Sequence, residues 1–242
     1  MARSYEQVYP PRSVKTTNRP LWTQACFIHS EKSVHGSDST VHVLDKASYT
    51  MTNGTAGDRW RAAWALAYLA QHTAANRVAI AEAGAIPPLV ALLTNGTVGG
   101  PLELVERSAA WALASLAWYN EANKVAIVAA GAVDPLYALA CAGGSLKAAA
   151  VAVLKELKRR ALAWALRHRK RRVYPLLLAT GATIPPHADD AYLRKVAAAG
   201  GFPAYEKAHR QALDALAAKA FVRLPTEVAA QVVSFAFHVG YY

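Results

Sequence analysis

The stretch AAWALAYLA at residues 62–70 returns as AAWALASLA at residues 109–117, 47 positions further along the chain. Each copy sets a tryptophan, Trp64 or Trp111, in a segment made mostly of alanine and leucine. At this spacing residues 62–92 align with 109–139, and 20 of the 31 aligned positions are identical. A weaker third copy follows 41 residues on, over KAAAVAVLKELKRR. Self-similarity at such a period predicts a stack of repeated helical units.

The physical interpretation of one unit is three helices. Asn76 and Asn123 are placed to cap a short first helix, NRVAIAEAG or NKVAIVAAG. Gly84 and Gly131 are expected to end that helix, since glycine is favoured just past a helix C-terminus. A proline then falls in the first turn of a second helix, and the tryptophan-bearing segment forms the third. A unit of this size cannot bury its own apolar face, so neighbouring units must stack.

The run NRVAIAEAGAIPPLVALL at 76–93, taken together with AAWALAYLA, resembles the armadillo repeat. The resemblance covers roughly residues 52–158, and its motif elements occur in the family's order. It implies an all-α fold, a right-handed superhelical solenoid whose third helices line a concave groove for extended peptides. It also implies a protein that binds other proteins and has no enzymatic activity in its repeats.

Three segments are predicted. Residues 1–57 are expected to be largely disordered, because they are rich in Ser, Thr and His and the segment 22–50 shows neither a GAIPPL motif nor helical periodicity. Residues 58–158 are expected to hold one orphan third helix, 58–71, and about two armadillo repeats. Residues 159–242 are expected to form a basic linker helix and a helical C-terminal module. So short a solenoid leaves its ends exposed, and self-association through them stays open.

The tryptophans lie opposite the predicted core. At 100° per residue, Trp64 points away from Leu66 and Leu69. Two interpretations stay open: an aromatic groove for an extended partner, since Trp and Tyr dominate binding hot spots, or packing between neighbouring helices. The candidate groove residues are Trp60, Trp64, Tyr68, Arg107, Trp111, Ser115 and Trp118.

A lysine-rich peptide is not the expected ligand of this groove. Armadillo proteins similar to importin-α hold such peptides with a Trp and an Asn four residues later. Tyr68 and Ser115 stand at the positions of that Asn. The region 58–146 also has a net charge of only −1, from five basic and six acidic residues, so it supplies little attraction for lysine.

The formal net charge of +11 is concentrated near the C-terminus, because residues 147–242 contribute 16 basic and six acidic residues. Such a cluster is typical of a nuclear localisation signal or a nucleic-acid contact. The alternative is the solvated face of a connecting helix. The basic patch consists of Lys158, Arg159, Arg160, Arg167, Arg169, Lys170, Arg171 and Arg172.

Other functional classes find little support in the sequence. LPTEVAAQVVSF at 224–235 resembles the opening helix of an F-box, which would imply a ubiquitin-ligase adaptor; the alternative is a terminal capping helix. No phosphate-binding loop or catalytic motif occurs, so no enzyme, cofactor or metal is predicted. His187, Asp189 and Asp190 are interpreted as part of a helix start. Two cysteines and no uninterrupted apolar run of 18 residues indicate a soluble protein of the cytoplasm, the nucleus or both.

Overall fold

A computed structural model describes residues 38–93, 101–186 and 188–220, together with residues 227, 228 and 231. Over these residues the chain is all-α, which confirms the predicted fold class at that level. A short 3₁₀ helix, Arg171–Val173, precedes the ninth α-helix. The eleven α-helices in this part of the chain are α1 (Asp38–Asn53), α2 (Ala56–His72), α3 (Ala74–Glu82), α4 (Ile86–Leu92), α5 (Pro101–Ala117), α6 (Glu121–Ala129), α7 (Val133–Ala142), α8 (Gly144–Arg167), α9 (Tyr174–Ala179), α10 (Ala191–Ala198) and α11 (Phe202–Ala220).

Equivalent helices of successive sequence repeats pack against one another. The tryptophan-bearing helices α2 and α5 are in extensive contact, and α5 contacts α8 in turn. The first helices of the two units, α3 and α6, also meet. One continuous core runs through these helices, and most of its members are alanine and leucine. The sequence repeat is therefore a repeat of packing as well.

Helix α1 was not expected, and the prediction of a largely disordered segment over 1–57 is wrong where α1 lies. Leu44, Ala47 and Met51 are buried, and their i, i+3, i+7 spacing places them on one face. This face packs against α2 and α4. The Ser- and Thr-rich composition of α1 favours other conformations only weakly, and tertiary packing overrides such a preference. Residues 1–37 lie outside the described residues.

The first and second helices of each unit meet at a turn built on glycine. At Gly84 (φ 73°) and Gly131 (φ 82°) the backbone takes the left-handed conformation, which costs a residue with a side chain more than it costs glycine. The following amides, of Ala85 and Ala132, donate to carbonyls five residues back, at 3.3 Å in each unit. This is the Schellman arrangement, and the predicted helix-ending glycines are confirmed.

The two repeated asparagines do not cap helices as predicted. Thr73 and Asn120 are the N-caps, and they accept from the amides of Asn76 and Asn123. The side chain of Asn76 instead donates to the carbonyl of Leu69 at 2.9 Å. A residue three places inside a helix cannot take the non-helical N-cap conformation, so its side chain serves the previous helix instead.

Asn123 makes the contact that joins the two units. Its buried Nδ2 group donates to the carbonyls of Leu116, at the end of α5, and Arg77, in α3, both at 3.0 Å. The last carbonyls of a helix have no partner within it, so a side-chain donor satisfies one of them here. A single amide therefore connects α3, α5 and α6.

Helix α8 is bent at Lys158, whose φ and ψ of 31° and −107° are not helical. The arm 144–157 continues the tryptophan-helix layer, while the arm 159–167 ends in the same kind of turn as α3 and α6. There the amide of Lys170 donates to the carbonyl of Ala165 at 2.8 Å. The repeated turn thus recurs beyond residue 158, where the repeats were predicted to end.

No single helix in the described part of the chain is long and apolar enough to cross a membrane. Only α6 and α7 taken together reach the necessary length and composition, and they are bent by 84° relative to each other.

Replacing Asn123 with alanine is expected to lower the free energy of unfolding by about 2–3 kcal/mol, because two buried hydrogen bonds are lost and the carbonyl of Leu116, at the end of its helix, loses its side-chain donor. Asn76→Ala is the matched control, since Asn76 makes one such bond at a partly buried site, and we expect about 1 kcal/mol there. Urea unfolding followed by circular dichroism measures both. Equal losses in the two variants would show that Asn123 does not join the units.

Candidate functional site

The tryptophan side of α2 carries a short aromatic stack. The rings of Trp64 and Tyr68 lie 5.7 Å apart at an interplanar angle of 15°, and His72 meets Tyr68 edge-on at 4.5 Å. All three are at least partly exposed. Trp60 is partly buried as Trp64 and Tyr68 are, but it packs against the core, with the guanidinium of Arg61 5.5 Å from its ring.

Helix α5 presents a more open aromatic surface. Trp111 and Trp118 are 42% and 46% exposed, and Arg107 is exposed on the same side. Their spacing of four and seven residues keeps them near one face of the helix. The opposite face of α5 is turned inward, and its fully buried residues include Ala109, Ala110, Ala112, Leu113, Leu116 and Ala117. Two interpretations of the tryptophans were left open, a groove for a partner or packing between helices. Trp60 packs against the core, as the second interpretation requires. Trp111 and Trp118 are exposed, as the first requires.

Ser115 is a correction to the predicted contact set. It is buried, and its hydroxyl donates to the carbonyl of Trp111 at 3.0 Å. The helical-wheel angle placed it within the stripe, but the neighbouring helix covers that edge of α5. A serine hydroxyl that bonds within its own helix has nothing left to donate to a partner.

Two residues beside Trp118 were not identified from the sequence. Arg77 is buried, donates to the carbonyl of Ala70 at 2.9 Å, and lies 5.6 Å from the Trp118 ring in a cation–π contact. Tyr119 is 85% exposed, with its ring 5.3 Å from that of Trp118. Tyr119 could have been identified as a candidate contact from the sequence, because it is a second aromatic residue next to Trp118 at a helix end. For Arg77 the sequence gives no such indication beyond its place in the repeat.

The basic patch is divided by its ion pairs. Arg160 contacts the carboxylate of Glu121 at 2.9 and 3.1 Å, and Lys170 contacts Asp134 at 2.9 Å. Arg171 contacts Asp190 at 3.0 Å. The remaining members have no ion pair within the described ranges, and they are Lys158, Arg159, Arg167, Arg169 and Arg172.

Glu121, the first residue of α6, forms ion pairs with Lys124 of the same helix and with Arg160 of α8. Hydrogen bonds from Lys124 and then from Arg160 lower the pKa of its carboxyl group. A lowered pKa in the folded chain stabilises the fold above the unfolded pKa, and this contribution is lost as the pH falls through the folded value. Because Glu121 is on the surface, the contribution is small.

The remaining predicted features lie at or beyond the edge of the described chain. Asp190 caps α10 by accepting from the amides of Tyr192 and Leu193, as expected for a helix start. His187 and most of the F-box-like segment 224–235 lie outside the described residues. The ubiquitin-ligase interpretation therefore stays a prediction.

Comparison with known proteins supports the fold but assigns no activity. No protein-family model and no curated protein matches the sequence. Two engineered proteins solved by the Northeast Structural Genomics Consortium are similar in structure. One has a TM-score of 0.54 and 19% identity, over 89% of this chain and 97% of its own. The other has a TM-score of 0.49 and 22% identity, over 81% of this chain and 70% of its own.

Three exposed side chains of the described chain, those of Tyr119, Lys158 and Arg169, occupy positive-φ backbone positions that favour glycine. Tyr119 (φ 48°) and Arg169 (φ 54°) are left-handed, a conformation that costs a non-glycine residue roughly 1–2 kcal/mol. At Arg169 the contrast is internal to the chain. The equivalent helix-ending positions of α3, α6, α9 and α10 are Gly84, Gly131, Gly181 and Gly200.

Arg169→Gly is expected to raise the free energy of unfolding by about 0.5 kcal/mol, because relief of the left-handed strain exceeds the entropic cost of glycine. Arg167→Gly is the control, since Arg167 is helical, and we expect it to lower that free energy by about 0.5–1 kcal/mol. Urea titration distinguishes the two signs. A loss at Arg169 as large as that at Arg167 would contradict the assignment.

Proposed function

We propose that this chain is a non-enzymatic protein-interaction module, an armadillo-like solenoid that binds an extended peptide across α2, α5 and the first arm of α8. The observation that carries the proposal is the exposure of Trp111 on α5 and of Trp118 just past its end, opposite a face of the helix that is fully buried. Large exposed aromatic side chains that lie together are characteristic of binding surfaces.

The stacking of repeats supports an extended ligand. Helices α2, α5 and α8 lie side by side, so equivalent positions recur from one helix to the next. Trp64 and Trp111 are equivalent in the sequence repeat, and Ala152 is their counterpart in α8. A chain that crosses these helices would meet two aromatic side chains and then a small exposed one. An extended peptide fits such a row, because its alternate side chains face one surface.

The charge of this surface favours an acidic peptide over a lysine-rich one. Arg107 on α5 and Lys155 and Arg159 on α8 are exposed at the helices that carry the row. The acidic side chain among the equivalent positions of α8, Glu156, lies 3.9 Å from Lys124. Complementary charge would guide acidic partners to the surface and disfavour basic ones.

The departures from the importin-α-like pattern agree with this ligand class. Neither Tyr68 nor Ser115 has the side-chain amide with which asparagine would bind a peptide backbone. Tyr68 instead stacks on Trp64, and the hydroxyl of Ser115 bonds within its own helix. The aromatic rings are left to supply apolar contact. We therefore infer a preference for peptides that combine acidic with aromatic or aliphatic side chains.

Selection of a displayed random-peptide library on the full chain tests the proposal. Enriched peptides are expected to be acidic and to carry aromatic or aliphatic residues. Replacing Trp111 and Trp118 together with alanine should weaken the binding of a selected, fluorescently labelled peptide by at least about 30-fold in an anisotropy titration, since the loss of even one hot-spot residue costs about 2 kcal/mol or more.

The control removes exposed apolar side chains elsewhere. Tyr49→Ala with Leu216→Ala is matched in kind, because these residues are 69% and 60% exposed on α1 and α11. Tyr119→Gly removes an exposed ring beside Trp118 and relieves backbone strain. It should therefore weaken peptide binding without lowering the stability of the fold. Equal binding by the tryptophan variant and the control, or no enriched peptide, would refute the proposed surface.

A further inference from the structure

Three open depressions surround the turn that follows α8. The first, of about 680 Å³, is lined by residues that include Arg169, Arg171 and Tyr174. The second, of about 310 Å³, brings Arg171 and Arg172 close to Lys195 of α10. The third, of about 430 Å³, lies between Tyr137 of α7 and the turn itself. Arg171 borders all three, so the depressions adjoin one another around one cationic turn.

The acidic side chains in these depressions are already neutralised. Asp134 pairs with Lys170 at 2.9 Å, Asp190 with Arg171 at 3.0 Å, and Asp189 with Arg194 at 3.5 Å. The other cations that line the depressions are Arg169, Arg172 and Lys195. None of these three has an ion-pair partner in the part of the chain that the structure describes. Each acidic side chain is therefore paired with a nearby cation, and the positive charge in excess is carried by three side chains that are exposed to solvent.

Arg169 is held at this turn against the preference of the backbone. Four equivalent turns of the described chain use glycine where this one uses arginine. Residues kept in strained conformations cluster at functional sites, because the side chain contributes something that offsets the cost. The arginine side chain here is exposed and unpaired, so its contribution concerns a ligand more than the fold.

We propose that this turn and its three depressions form a binding site for single-stranded nucleic acid. Cations spread over adjoining depressions fit a chain of phosphates, whereas a single phosphate group would need them to converge on one point. Arginine is suited to the task because its guanidinium group binds phosphate oxygens in pairs. This site is separate from the residues proposed to bind a peptide.

Aromatic side chains stand among the cations, which favours a nucleic acid over an acidic peptide or a flat anionic membrane. Tyr192 and Tyr205 line the depression of Arg172 and Lys195, with their rings 5.5 Å apart and edge-to-face. Tyr137 lines the neighbouring depression. A cationic surface that tracks the backbone, with aromatic rings for the bases, is the common arrangement in proteins that bind single strands.

The test is a fluorescence-anisotropy titration of labelled single-stranded RNA and DNA 12-mers with the full chain, over a range of salt concentrations. Affinity is expected to fall steeply with salt. The variant Arg169→Gly, Arg172→Gln, Lys195→Gln should bind more weakly, on the order of 10-fold at low salt. It should also reduce the magnitude of the slope of log K against log[salt] by about 2, from three lost phosphate contacts.

The matched control is Lys147→Gln, Lys207→Gln, Lys219→Gln, which removes the same charge from three exposed lysines away from the turn. It should keep the slope of the unchanged chain. Equal weakening in the two triple variants would show that binding follows net charge alone and would overturn the site. So would the absence of oligonucleotide binding at 50 mM salt, or stronger retention by vesicles of anionic lipid. Arg169→Gly alone should weaken binding while the protein stays at least as stable.

Discussion

The amide of Asn123 is the contact on which the arrangement of the two units depends. It donates to the end of α5 and to the backbone of Arg77 in the preceding unit, and it is almost fully buried. Arg77 in turn donates to the carbonyl of Ala70 and lies against the ring of Trp118. One path of contacts therefore leads from the junction between units to the exposed aromatic surface. The position of Trp118 is fixed by the same interactions that hold the repeats together.

The exposed tryptophans follow from the way in which α2 and α5 pack. Their contact is lined with alanine, and Ala62, Ala63, Ala109 and Ala110 are fully buried. Small side chains let helix axes approach closely, and an interface packed to crystal-like density has no volume for an indole ring. The indole rings of Trp64 and Trp111 consequently lie on the partly exposed side of these helices. The alanine-rich background and the tryptophans at the same place in each copy are two consequences of one packing constraint.

The repeated helices and their ends could be predicted from the sequence, because they depend on residue preferences that act over a few neighbouring positions. Gly84 and Gly131 were predicted as helix ends because the preference of left-handed backbone for glycine is a local steric effect. The failures involve non-local contacts. The role of Asn123 depends on a carbonyl 46 residues away, and helix α1 is stabilised by packing on α2 and α4. Ser115 was wrongly predicted to be a contact residue because a helical wheel gives only the direction of a side chain. Its burial depends on the neighbouring elements that cover it.

The basic patch shows why charge alone does not define a site. Arg160, Lys170 and Arg171 are used within the chain, where each pairs with an acid on another element, α6, α7 or the cap of α10. The pairs of Arg160 and Lys170 lie at surface positions and contribute little stability singly. Asp190, the partner of Arg171, is buried. All three pairs determine which neighbouring cations remain without an ion pair. Arg169 and Arg172, which have no ion pair in the described part of the chain, flank the paired Lys170 and Arg171 along the turn. All four side chains are exposed, but two of them are engaged by acidic side chains of the protein, so the two flanking cations are the ones proposed to contact a ligand.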